Sequence, residues 1–432
     1  MTGAQVTADA PDNALSVRIV NFSDRGGGAA VAAVRLHRAL RARGTDSRLR
    51  VAVQRSDEPG VERPRSAAAR LAARARPLLA HAVTVRVADA ASGPRSPAAL
   101  STGLGRELQE CAADVVNLHW VCGEMLSIAE IGNLRKPLVW TLHDAWAFCG
   151  AEHLLDEAGP PRHRDGYRAD NRGPSMRKFD LDRWTWERKR RAWRRPITLV
   201  CPSEWLAREA RSSMLCRDWP IEVIPNAIDT TRWRPAPRDL ARDVLGLPRN
   251  ATLALFGALG GTRDRNKGAD LLRGALTETV RRTPGSNLQL VVFGQSAADG
   301  EPWPLPVHYL GELHDDPALI LAYSAADIAV VPSRAENLPY AAIEAQACGT
   351  PVVAFRTGGL PECVDHLGTG FLAQPHSVPD LAAGIRWMLD EPARRESLRT
   401  AARKWVIDRY DAPRIADRYL AVYRRAIAGE RS

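Results

Sequence analysis

Short runs of apolar and β-branched residues recur along the chain, separated by stretches in which apolar residues have helical spacing. VRIVNF, RLRVAV, DVVNLHW, PLVWTLH and ITLVCPS form one set of runs, and TLALFG, LQLVVFG, VHYLG, IAVVPS and PVVAF form a second. Buried strands that alternate with helices are typical of parallel sheets covered on both faces. The pattern therefore predicts an α/β protein with two such sheets.

The same pattern predicts the domain organisation. We expect a disordered tail at residues 1–16, a first α/β domain at residues 17–216 and a second at residues 217–410. The turn-rich segment IPNAIDTTRW lies between the two sets of strands and predicts a hinge. Ligands of such domains bind at the carboxyl ends of the strands, so we expect a binding site in the cleft between the sheets.

The segment SRAENLPYAAIEAQACGTPVVAFRTGGLPE is the strongest candidate for that site. The strand IAVVPS leads into a turn at Glu336, and Asn337 is suited to cap a helix that begins near Leu338. Glu344 lies inside this helix, whose first N–H groups would be free to bind phosphate. Two glutamates at this spacing also occur as solvated surface charges. The strand, turn, helix and strand around them favour a ligand site.

A glycine cluster, SDRGGGAAV, follows the first strand and opens a long amphipathic helix. Gly27 and Gly28 would let the backbone approach a ligand and direct N–H groups at phosphate. A nicotinamide-binding fold is disfavoured, because the cluster lacks the GxGxxG spacing and the position about 20 residues later falls near the basic stretch SRLRVAV.

Histidines follow two strands of the first set. His143 and Asp144, in TLHDAWAF, come directly after a strand and are expected at the carboxyl edge of the sheet, facing the cleft. His119, in NLHW, ends the preceding strand and has a similar location. A buried structural histidine is the alternative interpretation of His143.

Five segments follow one another along the chain: the glycine cluster, TLHDAWAF, VIPNAIDTTRW, the KG pair at Lys267 and the two-glutamate segment. In this order they resemble the motifs of retaining glycosyltransferases of the GT-B fold, in glycosyltransferase family four. Within that family the chain is most similar to enzymes of the colanic acid and exopolysaccharide type. The resemblance implies two Rossmann-like, doubly wound domains that face each other across a cleft. It also implies a last helix, at residues 411–432, that crosses back to the first domain.

The resemblance also implies roles for single residues. It places Lys267 beside the donor phosphates, and His143 and Glu336 beside the donor sugar at the reacting centre. The other residues implied in donor binding are Gly27, Gly28, Arg263, Asn337, Leu338 and Glu344. Among them, Glu344 would accept hydrogen bonds from the ribose. Many family members carry an arginine directly after the glycine that ends the preceding strand. This chain has Ala258 there, so Arg263 is the alternative source of that charge.

The chain carries a formal net charge of +10, which implies anionic partners. Two segments concentrate the charge: residues 63–87, which combine arginines with leucines, and residues 177–195, which interleave arginines with Trp184, Trp186 and Trp193. Such segments suit an anionic membrane surface or a phosphate-bearing acceptor. A solvated helix whose tryptophans pack on the domain is the alternative. No motif supports nucleic-acid binding.

Other features limit location and cofactors. No signal peptide and no apolar run long enough to span a membrane is visible, so we expect a cytoplasmic protein. The two basic segments predict that it is peripheral on the inner face of the plasma membrane. Seven cysteines without a CxxC pair favour reduced thiols over a zinc site. Asp180 and Asp182 form a DxD triplet away from any strand end. We therefore expect no metal and no other cofactor.

The resemblance, together with these observations, implies a retaining, metal-independent glycosyltransferase. Its donor would be a UDP- or GDP-sugar, and its acceptor a glycan or a lipid-diphosphate-linked molecule in cell-surface polysaccharide biosynthesis. Two alternatives remain: a glycosyltransferase that acts on a small-molecule natural product, and a non-catalytic protein that keeps the GT-B fold and binds nucleotide sugars or membranes.

Overall fold

A computed structural model describes residues 15–87, 93–155, 159–173, 178–257, 264–295, 302–313 and 315–429. Within these ranges, two parallel sheets are each covered by helices. Residues 1–14 of the expected tail lie outside the described residues. Ser16, which the sequence analysis assigned to that tail, begins the first strand.

The first sheet has seven strands in the order β3-β2-β1-β4-β5-β6-β7, and all of its neighbouring strands are parallel. Its strands are β1 (Ser16–Ser23), β2 (Asp46–Val53), β3 (Val61–Glu62), β4 (Val115–Leu118), β5 (Leu138–Thr141), β6 (Thr198–Cys201) and β7 (Ile221–Val223). The sheet continues past residue 216, the expected domain boundary, because β7 hydrogen-bonds to β6.

Successive side chains of these strands point to opposite faces of the sheet. Ile19 and Val139 face a core that includes the first and last helices, whereas Val20 and Trp140 face a second core on the other side. The helices of this half are α1 (Gly28–Ala42), α2 (Ala67–Val87), α3 (Leu104–Glu110), α4 (Ile128–Asn133), α5 (Arg162–Asp165), α6 (Leu181–Ala192) and α7 (Glu204–Ser212).

The second sheet repeats this architecture with six parallel strands in the order β10-β9-β8-β11-β12-β13. Its strands are β8 (Thr252–Gly257), β9 (Leu288–Phe293), β10 (Val307–Tyr309), β11 (Ile328–Val331), β12 (Val352–Phe355) and β13 (Gly370–Ala373). Its helices are α8 (Arg238–Val244), α9 (Ala269–Arg282), α10 (Asp316–Ala325), α11 (Tyr340–Ala347), α12 (Leu360–Cys363), α13 (Val378–Leu389) and α14 (Pro392–Tyr410).

The last helix, α15 (Ala412–Ala428), packs on the first half of the chain. The Tyr423 hydroxyl accepts a hydrogen bond from Asn117 Nδ2 at 2.6 Å, and the Tyr419 hydroxyl lies 3.1 Å from Thr141 Oγ1. These contacts connect the end of the chain to β4 and β5.

No described helix is both long and apolar enough to cross a bilayer. All seven cysteines are unpaired, and six of them are buried. Among the described residues, no group of three or more His, Cys, Asp or Glu side chains is arranged to hold a metal ion.

Candidate active site at two topological switch points

Strand order reverses once in each sheet, between β1 and β4 in the first and between β8 and β11 in the second. Loops that leave such a point diverge to opposite faces and open a crevice at the carboxyl ends of the strands. The glycine cluster follows β1, and His119 follows β4. In the second sheet, the Lys267 loop follows β8 and Glu336 follows β11. All four predicted segments therefore lie at switch points.

The glycine cluster forms the start of α1 as expected. Gly27 precedes the helix with φ of +84°, a conformation that side chains other than glycine rarely adopt. No side chain caps the helix, and no acidic residue lies in its first turn. Gly27 and Gly28 are exposed, and a Cβ built on either glycine would have no atom of the described residues within 4 Å. The helix start is thus open to an anion.

Lys267 and Glu336, predicted on different loops, form an ion pair with Nζ 2.6 Å from Oε1. Asn266 holds the two loops together: its Nδ2 donates to Ala335 O at 2.8 Å, and its Oδ1 accepts from Ala335 N at 3.1 Å. Burial alone would lower the pKa of Lys267, but the charge and hydrogen bond of Glu336 raise it above the ordinary value of a lysine. Lys267 is therefore a cation at neutral pH.

The TGGLPE turn after β12 packs directly behind Glu336. Gly359 N donates to Glu336 O at 2.9 Å, and a Cβ built on Gly359 would lie 1.6 Å from Asn337 O. Only glycine fits this approach, so the turn fixes the backbone that carries the glutamate.

The helix start in this segment differs from the expectation. α11 begins at Tyr340 rather than near Leu338, and Pro339 occupies the position that Asn337 was expected to fill. Asn337 contacts the first half of the chain instead. Its Oδ1 accepts from Ser203 Oγ at 2.6 Å, and its Nδ2 donates to His143 O at 3.4 Å. Leu338 is buried in the core of the second half.

His143 lies at the carboxyl end of β5, where the sequence predicted it. Its Nε2 lies 2.9 Å from Nδ1 of His119, and both histidines line a pocket together with Trp120, Asp144 and Trp146. Burial lowers the pKa of His143 to about 4. Burial, and then the neighbouring His143, hold the pKa of His119 well below its usual value. Both imidazoles are therefore neutral at neutral pH.

Asp144 is held by a separate network. Its Oδ2 accepts from His153 Nδ1 at 2.6 Å and from Trp120 Nε1 at 2.9 Å, and His153 Nε2 lies 2.8 Å from Ser96 Oγ. Burial alone would raise the pKa of Asp144, but His153 and the other donors lower it. The network fixes the loop that carries His143.

Glu344 is buried and bound to an arginine of the first half of the chain. Arg35, on α1, donates from Nη2 to Glu344 Oε1 at 2.7 Å. The Arg35 guanidinium lies over the rings of Trp233, at 4.7 Å, and Tyr340, at 4.4 Å. Burial raises the pKa of Glu344, and Arg35 opposes the rise. Sequence reasoning missed Arg35, because an arginine on an amphipathic helix is normally solvated.

Two other predicted features remain, the loop arginine and the DxD triplet. Arg263 and Ala258 lie outside the described residues. The DxD triplet has structural partners: Asp180 caps α6 by accepting from Arg183 N, and Asp182 forms an ion pair with Arg95 at 2.9 Å.

The basic aromatic segment folds as α6, and its tryptophans divide between two environments. Trp186 and Trp193 are buried, as expected for a helix packed on the domain. Trp184 is exposed and contacts Phe179.

Comparisons with known proteins found matches to both halves of the chain. A model of "Glycosyltransferase Family 4" matches residues 26–232, and one of "Glycosyl transferases group 1" matches residues 259–405. A D-inositol 3-phosphate glycosyltransferase of Saccharomonospora viridis is 35% identical over 225 residues, which cover 49% of this chain and 51% of that relative. The chain thus spans about half the length of the curated relatives it matches.

Solved structures are similar over almost the whole chain. Sucrose-phosphate synthase from Thermosynechococcus elongatus has a TM-score of 0.68 at 18% identity, covering 96% of this chain and 100% of that chain. Anabaena Alr3699/HepE in complex with UDP-glucose has a TM-score of 0.63 at 18% identity, covering 94% and 99%. At such identities the likeness shows a shared fold.

The sequence analysis suggested enzymes of the colanic acid type, whereas these curated relatives are named D-inositol 3-phosphate glycosyltransferases. The two family models, one on each half of the chain, and the shared fold show that this protein belongs to the GT-B glycosyltransferases, with a family 4 first half and a group 1 second half.

Proposed function

We propose that the protein is a retaining glycosyltransferase that uses a UDP- or GDP-sugar as donor and needs no metal. The Lys267–Glu336 pair carries the proposal, because it holds a cation and a carboxylate 2.6 Å apart at the switch point of the second sheet. A similar structure, Anabaena Alr3699/HepE, was solved with UDP-glucose.

The chemistry follows from charge. Breaking the bond between the anomeric carbon and the diphosphate leaves negative charge on the phosphate and positive charge on the sugar. Lys267 would release Glu336 and bind the phosphate instead. The backbone amides of Gly27 and Gly28 would donate hydrogen bonds to the same diphosphate. The freed Glu336 carboxylate would accept hydrogen bonds from sugar hydroxyls. The acceptor hydroxyl would then attack on the face that the leaving group has vacated and pass its proton to the departing phosphate, which retains the anomeric configuration.

Glu344 is the proposed ribose ligand although it is bound to Arg35. Its Oε1 holds the guanidinium, whereas the one hydrogen bond that its Oε2 accepts from a described residue is 3.3 Å long and comes from the Tyr323 hydroxyl. A carboxylate oxygen accepts more than one hydrogen bond. A ribose hydroxyl would therefore bind at Oε2 without separating the ion pair.

A donor screen tests this proposal. Purified protein is incubated with a panel of nucleotide sugars in the presence of a chelator, and donor hydrolysis and thermal shift are measured. We expect turnover of one donor, a product that keeps the anomeric configuration by NMR, and loss of turnover in folded Glu336→Gln and Lys267→Ala variants. Turnover only with added metal, or full activity in both variants, would overturn the mechanism.

For the acceptor, we propose a glycan or a lipid-diphosphate-linked molecule presented at the inner face of the plasma membrane, in cell-surface polysaccharide biosynthesis. α2 supports this proposal. Leu71, Leu78 and Val85 recur every seven residues on one side of the helix, with 69%, 73% and 60% of their surface exposed. Residues 63–87 contain arginines and no acidic residue. An exposed apolar stripe on a basic helix suits an anionic bilayer.

The second basic segment joins the same surface. Phe179 N donates to Val87 O at 3.2 Å, which brings the end of α2 next to the start of α6. Phe179 and Trp184 are exposed there, and the Arg188 guanidinium lies 4.4 Å from the Trp184 ring centroid. Aromatic rings beside arginines are typical of the membrane–water interface.

Vesicle sedimentation tests the membrane proposal. We expect binding to anionic vesicles at low salt, weaker binding at high salt, and loss of binding in the Leu71→Ser/Leu78→Ser variant. The matched control is Leu240→Ser/Val244→Ser, which removes two exposed apolar residues from α8 in the other half of the chain. Equal binding to neutral vesicles at any ionic strength, or equal loss in both variants, would contradict the proposal.

A small phosphorylated polyol is the second candidate acceptor, because the curated relatives are named D-inositol 3-phosphate glycosyltransferases. Transfer to inositol 3-phosphate in the absence of vesicles would favour this candidate. Transfer only to a lipid-linked acceptor would favour the first.

A further inference from the structure

A chain of buried polar side chains runs from the last helix to His143. Asn117, on β4, donates from Nδ2 to the Tyr423 hydroxyl at 2.6 Å, and the same group lies 3.4 Å from His119 Nε2. His119 Nδ1 in turn lies 2.9 Å from His143 Nε2. Asn117, His119 and Tyr423 are almost fully buried.

The orientation of Asn117 decides where the protons lie. In the structure Asn117 Oδ1 lies 3.1 Å from Thr141 Oγ1, and the amide nitrogen faces His119 and Tyr423. An amide nitrogen only donates. His119 Nε2 must therefore be the unprotonated, accepting nitrogen of that ring. Since His119 is neutral, its single proton is on Nδ1, which donates to His143 Nε2.

The position of the proton on His143 follows in the same way. A neutral imidazole that accepts at Nε2 carries its proton on Nδ1. Within the described part of the chain, no hydrogen bond to His143 Nδ1 is formed, and the ring lines the pocket at the carboxyl end of β5. His143 thus has one donor that is left over for a ligand.

We propose that Asn117, acting through His119, holds His143 in the tautomer with its proton on Nδ1, so that His143 presents a hydrogen-bond donor to an oxygen of the bound sugar. The ligand in this statement rests on the proposed function, but the tautomer does not. Asn117 and His119 are positioning residues, and α15 takes part because Tyr423 holds Asn117 in place.

The opposite tautomer would change the chemistry of the site. With its proton on Nε2, His143 would present only an acceptor to the pocket. An acceptor there would repel a sugar oxygen that carries no proton, such as the ring oxygen, whereas a donor binds it. The buried polar chain therefore selects which kind of substrate atom His143 binds.

The test is tautomer measurement by NMR on the full-length protein without ligand. Protein labelled with ¹⁵N-histidine is studied in mildly alkaline buffer, where both imidazoles are neutral, and the His143 signals are assigned by their loss in His143→Gln. We expect a protonated Nδ1 and an unprotonated Nε2 for His143. A proton on Nε2 would overturn the proposal, whether or not the protein transfers sugars.

Asn117→Asp tests the direction of control with nearly unchanged shape. A carboxylate accepts from His119 Nε2, which should move the His119 proton to that nitrogen and the His143 proton to Nε2. We expect the tautomer to switch and kcat/KM to fall by about 3- to 10-fold, the effect of losing one hydrogen bond to an uncharged sugar oxygen. An unchanged tautomer in the folded variant would contradict the proposal.

Two further variants complete the design. If Asn117→Asp does not fold, Asn117→Leu removes the donor without adding an acceptor. We then expect both His143 tautomers, and a single Nδ1–H tautomer would contradict the proposal. The control is His308→Gln, since His308 pairs with Gln289 at 2.7 Å on the edge strand β10. A shift of the His143 tautomer in this control would show that the signal does not report on Asn117.

Discussion

Replacing Lys267 by methionine removes the cation at the centre of the proposed site while keeping an unbranched side chain. In the structure this cation balances Glu336 at 2.6 Å, with 31% of the Lys267 side chain and 15% of the Glu336 side chain exposed. The pair is thus partly shielded from water. Lys267→Met leaves a half-buried carboxylate without its partner, which should destabilise the fold by roughly 1–3 kcal/mol.

The effect on catalysis should be larger. If Lys267 binds the departing diphosphate, the variant lacks one charged donor in the transition state. Losing one such donor typically lowers kcat by about 10²- to 10³-fold. The assay is donor turnover at saturating donor and acceptor, combined with urea unfolding to show that the variant is folded.

The chain offers a matched control. Lys404 and Asp408 form an ion pair with the same 2.6 Å separation, but 76% and 45% of their side chains are exposed. Solvent screens such a pair, so Lys404→Met should leave stability and kcat near wild type. Wild-type kcat in a folded Lys267→Met variant would refute the role assigned to Lys267.

Three further predictions concern Arg35, Gly28 and His143. Arg35→Leu leaves Glu344 unpaired and buried, so urea unfolding should show a loss of about 3–5 kcal/mol. Adding Glu344→Gln should restore part of this loss, and a stable single variant would contradict the pairing. Gly28→Ala should keep the thermal midpoint, since the added Cβ meets no atom within 4 Å in the part of the chain that the structure describes, but should weaken nucleotide binding measured by calorimetry. Unchanged binding would remove Gly28 from the donor site. Folded His143 stays neutral down to about pH 4, whereas an unfolded histidine gains its proton near pH 6.5. The free energy of unfolding should therefore decrease as the pH is lowered from 6.5 to about 4, by roughly 3 kcal/mol in all. Urea unfolding of His143→Gln should show a weaker pH dependence, and an equal dependence would contradict the burial argument.

The alternation of strands and helices was sufficient to predict the α/β class and the two parallel sheets. The runs of β-branched residues carried this signal, because strands buried on both faces have few polar positions. The edge strand β7, at Ile221–Val223, was not predicted. A three-residue strand has too little pattern of its own, and its hydrogen bonds to β6 define it.

Part of the site was also visible in the sequence. Lys267 and Glu336 were both assigned to loops after strands, and the fold brings them into contact. Arg35 was missed because its partner Glu344 is 309 positions away, and local spacing carries no information about such a pair. Asn266 was missed for a related reason: its importance comes from its hydrogen bonds to Ala335 on another loop.

The helix start at Asn337 was wrong for a physical reason. Asparagine is a good cap when its side chain is free to turn back to the helix. Here that side chain binds Ser203 and His143 across the cleft, so contacts between the two halves override the local preference. The sequence of the segment alone does not contain this competition.

A crystal structure of the protein soaked with UDP, and in parallel with GDP, tests the central claim most directly. We expect the diphosphate of one nucleotide within hydrogen-bond distance of Lys267 Nζ and the backbone N–H of Gly28, with Lys267 moved away from Glu336. A nucleotide bound elsewhere, with Lys267 and Glu336 still paired, would contradict the account.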